Sequence, residues 1–159
     1  MAFEQLMGLF ERRVYGYVFR HVTNREDAED ITQDVFVKVF KKLKTYDGTR
    51  SFSTWIFTVA TNTVYDFLRA RRGKTDLLIL DDPEGRFETK DPRETYEYIG
   101  NKVDVEAALE KIKPTYRTVL LLFYRDELSC EEISQVLNVP VGTIKTHLAR
   151  GRAALKEVL

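Results

Sequence analysis

Phe52, Trp55, Ile56, Val59, Ala60, Thr63, Val64, Phe67 and Leu68 recur at spacings of three and four residues. That spacing places them on a single stripe of an α-helix, a stripe too long and too apolar to stay uncovered. The same period recurs on both sides. Ala28, Ile31, Val35, Val39 and Leu43 precede it; Val105, Ala108, Leu109 and Ile112, then Ile144, Leu148, Leu155 and Val158, follow. The segment from Phe3 to Val22 is periodic too, with aromatics on several faces. Nowhere does a Val/Ile/Thr alternation call for a sheet. The expected fold class is all-α, in two small helical domains.

The breaks between stripes give the boundaries. Thr45-Tyr-Asp-Gly-Thr-Arg-Ser51 is a run of turn residues and predicts a loop between two long helices. Thr23 with Glu26, and Ser129 with Glu132, have the spacing of capping boxes at helix starts. Pro114 and Pro140 suit first turns. Between residues 74 and 101, Asp81-Asp-Pro-Glu-Gly85 and Lys90-Asp-Pro92 interrupt the periodicity, which predicts a flexible linker. Pulled straight at about 3.3 Å per residue, it would span roughly 90 Å. The expected domains are 1–73 and 102–159.

Charge follows the same division. The whole chain has 25 basic and 25 acidic side chains. Residues 1–73 hold 12 basic and 9 acidic, the linker 4 and 8, and residues 102–159 hold 9 and 8. Unaided, sequence-independent grip on DNA rests on counterion release and needs a positive excess. Any nucleic-acid role here must be local or assisted.

Other classes are excluded more quickly. A length of 159 residues, 43% of them apolar and 31% charged, suits one soluble domain or two small ones. The longest apolar run, Val119 to Tyr124, falls far short of the roughly 20 residues of a membrane span. Glu4, Gly8 and Glu11 interrupt the start where a secretory signal would be apolar. Cys130 is the only cysteine, so no intrachain disulfide forms, and a cytoplasmic location is expected. His21 and His147 stand far apart and the glycines are scattered, leaving no metal pair and no phosphate loop. The acid pairs Glu29/Asp30 and Glu131/Glu132 suit solvated helix faces. No enzyme, cofactor, metal or small-molecule substrate is expected.

Three segments remain as candidate sites. Leu128 to Arg150 reads as helix, short turn, helix, with Thr143, Lys145, Thr146 and Arg150 expected on the outside of the second helix. Such a helix enters the major groove, where hydroxyls and cations meet bases and phosphates. An ordinary helical hairpin with a basic flank is the plainer alternative. Residues 50–72 combine Phe52 and Trp55 with Asn62 and the basic end Arg69-Ala-Arg-Arg72, which suits unstacked single-stranded bases. Core packing and helix-dipole complementation account for the same residues. On the preceding helix, the acidic, amide-rich first turns fit the helix dipole, and the outward row of Asp30, Gln33, Asp34 and Val37 fits a protein partner equally.

Together these motifs resemble an extracytoplasmic-function (ECF) sigma factor, a minimal bacterial transcription initiation factor. Asp27-Ala-Glu-Asp-Ile-Thr-Gln-Asp-Val-Phe36 resembles its region 2 signature and Phe52 to Arg69 its promoter-melting helix. Leu128-Ser-Cys-Glu-Glu-Ile133 with Val139-Pro-Val-Gly-Thr-Ile-Lys-Thr-His-Leu148 resembles region 4. The resemblance implies that Asp30, Gln33, Asp34 and Val37 dock on the clamp helices of core RNA polymerase, with region 4 at its flap. Loop 45–51, with Tyr46, Arg50 and Ser51, would join Asn62 in holding one base flipped from the −10 element. Arg69, Arg71 and Arg72 would follow the backbone upstream, and Trp55 would pack rather than stack on DNA. Lys145, Thr146 and Arg150 would read the −35 element, with Thr143 and Arg152 on phosphates. The acidic linker would imitate nucleic acid in the polymerase channel. An anti-sigma factor is the expected regulator, and through it a place at the inner membrane face. His147 and Ala149 depart from the arginine and the bulkier side chain frequent in the family. A decoy that occupies an anti-sigma factor, or an autonomous helix-turn-helix regulator, are the alternative readings.

Overall fold

The computed structural model describes residues 2–72 and 102–159, with side chains for 4–71 and 105–159. The segment expected as a linker lies outside them. The chain divides into two units, Met1–Gly73 and Lys74–Leu159, each with its own core. All regular structure among the described residues is helical.

In the first unit, α1 (Ala2–Val22), α2 (Arg25–Lys42) and α3 (Phe52–Arg72) pack on one another, and a short 3-10 turn (Leu43–Thr45) extends α2. Val14, Tyr17 and Val18 meet Ala28, Ile31, Val35 and Val39, and Ile56, Phe57, Ala60 and Val64 complete the core. The threonines within the α3 stripe are satisfied. Thr61 and Tyr17 share a hydroxyl–hydroxyl bond of 2.7 Å, and Thr63 donates to Val59 O.

The start of α2 differs from expectation. Asn24, not Thr23, is the N-cap, accepting the Asp27 amide at 3.0 Å. Thr23 is left-handed (φ +55°) and gives its amide to Phe19 O, closing α1. Two helices joined by only two residues need one to end the first and the next to begin the second.

The second unit contains α4 (Lys102–Leu109), α5 (Pro114–Leu120), α6 (Cys130–Leu137) and α7 (Val141–Val158). A π-helical turn (Leu121–Arg125) prolongs α5, and Asp126 closes it by donating its amide to Leu121 O. The Ser129–Glu132 capping box starts α6 with both of its bonds formed. Asn138, left-handed at φ +55°, ends α6. Pro140 then stands one residue ahead of α7, as its N-cap. Gly151, in mid-α7, lies at the crossing with α5. A Cβ there would come within 3.3 Å of Leu120 and 3.4 Å of Tyr116, so the glycine's helix penalty of up to about 1 kcal/mol accompanies close packing.

Arg117 holds the end of α4. It is buried, and its guanidinium donates to Leu109 O (2.7 Å), Glu110 O (3.0 Å) and Ile112 O (3.1 Å). Those carbonyls lie where a helix runs out of its own donors.

Candidate nucleic-acid interface

In the second unit, α6, a tight turn and α7 form the helix-turn-helix. Ser134 Oγ donates to Val139 O across the turn, while Ile133, Val136, Ile144 and Leu148 pack inside it. On α7, Lys145 is exposed, and Thr143 and Arg150 are half-buried. Two of the predicted contacts lie inward in this unit. Thr146 is only 5% exposed, and its hydroxyl donates to Gly142 O at 3.0 Å. Arg152 is 8% exposed, and its Nη1 lacks a hydrogen-bond partner. Both positions lie on the side of α7 that the other helices cover. His147 is buried as well, its ring 5.6 Å from that of Tyr116. The outer face runs instead through Gly142, Lys145, Ala149 and Ala153. Gly142 and Ala149 were missed, although they stand three before and four after Lys145.

In the first unit, Asp30, Gln33, Asp34 and Val37 are all exposed on one face of α2. The face continues beyond them. Phe40 is 69% exposed. Met7, Phe36, Val37 and Phe40 line a groove whose rim includes Glu4, Glu11 and Gln33. Phe40, three residues past Val37, continues the predicted row.

Loop 46–51 is folded on itself. Tyr46 Oη donates to Arg50 O at 2.8 Å, and Asp47 accepts both the amide (3.0 Å) and the hydroxyl (2.7 Å) of Thr49. Those donors hold the Asp47 carboxyl below its ordinary value of 3.8. Gly48 takes a left-handed φ of +79° with open space around it. Ser51 Oγ accepts the Thr54 amide and so starts α3. Of the predicted loop contacts, Arg50 and Ser51 are exposed and Tyr46 is half-buried. Trp55 packs, as expected, against Tyr46 and Phe52.

Asn62 is exposed on α3, eleven residues past Ser51. At 1.5 Å per residue that is about 16 Å along the axis, and close to a whole number of turns. Ser51, at the start of the helix, and Asn62 therefore lie on one side of α3. At its far end, Arg69 pairs with Asp66 (3.1 Å). Arg71 pairs with Asp27 of α2 (3.3 Å) and lies over the Phe67 ring. The Arg72 side chain is outside the described set.

One helical unit bears a helix-turn-helix, and the other an exposed acidic and apolar helix face and a structured loop, the parts of a modular DNA-binding factor. Residues 6–74 match the family model of sigma-70 region 2, and residues 102–155 that of sigma-70 region 4. The chain is 32% identical to the ECF RNA polymerase sigma factor SigW of Bacillus subtilis, over 99% of this chain and 89% of that one. It is 33% identical to the ECF RNA polymerase sigma factor SigE of Mycolicibacterium smegmatis, over 99% of this chain and 62% of that relative. The chain belongs to the ECF RNA polymerase sigma factors. Two solved structures share the fold. The sigma factor RpoE in complex with the anti-sigma factor NepR from Bartonella quintana aligns with a TM-score of 0.75 at 23% identity, covering 99% of this chain and 96% of that one. CnrH in complex with the cytosolic domain of CnrY gives 0.71 at 24%, covering 98% and 86%.

Proposed function

We propose that this sigma factor works as a two-point promoter reader assembled by core RNA polymerase, and not as an enzyme. The observation that carries the reading is the presence of both matched regions, in order, in one chain with zero net charge. Asp30, Gln33, Asp34 and Val37, extended by Phe40, dock on the polymerase. A mixed acidic and apolar face suits a basic, partly apolar helical partner. The loop 45–51, with Asn62 on the same side of α3 as Ser51, then holds a base flipped from the melted −10 strand. Arg69 and Arg71 are placed to follow the upstream backbone, Arg71 by exchanging Asp27 for phosphate. Lys145, Thr143 and Arg150 address the −35 duplex. Residues 74–101 join the two readers as a linker.

Regulation by an anti-sigma factor is part of the proposal, supported by a fold neighbour solved with such a partner. The place of action is the cytoplasm. No helix among the described residues is long and apolar enough to cross a membrane.

The decisive experiment is initiation in vitro from a genomic promoter pool, with and without core polymerase. Specific start sites should appear only with core and sigma together. No start sites with both present would overturn the reading. Asn62→Ala should slow promoter opening far more than it weakens core binding.

A further inference from the structure

Loop 46–51 is anchored twice through one residue. The Tyr46 ring leans on Trp55 at 5.3 Å and meets Phe52 edge-on at 5.7 Å, and Phe52 meets Phe10 of α1 at 5.3 Å. The ring is therefore tied to the helical core. Its hydroxyl reaches across the loop to Arg50 O, while Asp47 holds Thr49 from within. Asp47, Gly48, Thr49 and Arg50 stay exposed on this frame. Ties of this kind give the loop one shape in the free protein. A loop that tells one base edge from another needs them, because donors and acceptors ordered only on binding lose affinity and selectivity.

We propose that Tyr46 is a positioning residue for base capture and not a DNA contact. It fixes the shape of residues 47–50 before DNA arrives, so that discrimination at the captured −10 base is built into the free protein. This rests on the sigma-factor reading and adds to it the residue that sets the loop.

Two variants separate the ring from the hydroxyl. Tyr46→Phe keeps the ring and loses the tie to Arg50; Tyr46→Ala loses both. In the free protein, amide exchange at Thr49 should rise about three- to ten-fold in Tyr46→Phe, the worth of one net hydrogen bond. It should rise further in Tyr46→Ala, with Val59 and Ala60 in α3 unchanged. In the holoenzyme, the ratio of opening rates on matched and single-base-substituted −10 elements should fall in the same order, with core affinity and −35 preference kept. Unchanged Thr49 exchange in both variants overturns the inference, as does faster exchange with discrimination intact. A loss of core affinity equal to the loss of discrimination overturns it too, by showing general damage. A wild-type holoenzyme that initiates nowhere would instead sink the sigma reading, and the exchange measurement would still decide whether Tyr46 holds the loop.

Discussion

Thr146 and Lys145 are neighbours in sequence with opposite surroundings, because a helix turns about 100° per residue. Lys145 faces solvent and Thr146 faces the helices packed against α7. Lys145→Ala should weaken holoenzyme binding to promoters and reduce the salt slope by about one, read from affinities over a salt series. Thr146→Val should leave −35 preference unchanged and alter stability by no more than about 1 kcal/mol. A shifted preference would return Thr146 to the reading face. Arg152 gives a sharper case. A guanidinium that is 8% exposed with an unpartnered Nη1 leaves one buried donor unsatisfied, at a cost of about 1–3 kcal/mol. Arg152→Met should therefore unfold at an equal or higher denaturant concentration, and promoter binding should keep its salt slope. A slope smaller by about one would mean that Arg152 swings out to a phosphate.

Among the elements, the ends were harder to read than the middles. The stripes of α2 and α3 bury as their periodicity predicts, since which side of a helix is apolar is a local property. The Ser129–Glu132 box was legible because both partners lie within one turn. The Asn24 cap was not, because the choice between Thr23 and Asn24 depends on where α1 stops. Arg117 gave no signal at all. Its three acceptors come from the end of α4 and the turn after it, and only the fold brings them together. Arg117→Met would leave those carbonyls without their donor, and should destabilise the second unit by about 2–4 kcal/mol in urea unfolding of the full chain. A change under about 1 kcal/mol would mean that water replaces the guanidinium freely.

For the whole molecule, the charge balance sets the mode of action. With 25 cations against 25 anions, the free protein should show no sequence-selective gel shift on promoter duplex at about 0.15 M salt. Adding core polymerase should produce one, because holding two weak readers at the right spacing raises the effective concentration of the second. Tight, selective binding without polymerase would contradict the mechanism. The chain's own letters determined the all-helical class, the two-part organisation and the family, since periodicity, charge blocks and short motifs are properties of neighbours along the backbone. Tertiary structure alone decided which residues of those motifs face outward. It buried Thr146 and Arg152, left Phe40 exposed beyond Val37, and tied Tyr46 to Trp55, Phe52 and the Arg50 carbonyl. The exposure of a side chain depends on the helix that happens to cover it, and that helix is contributed by a distant part of the chain.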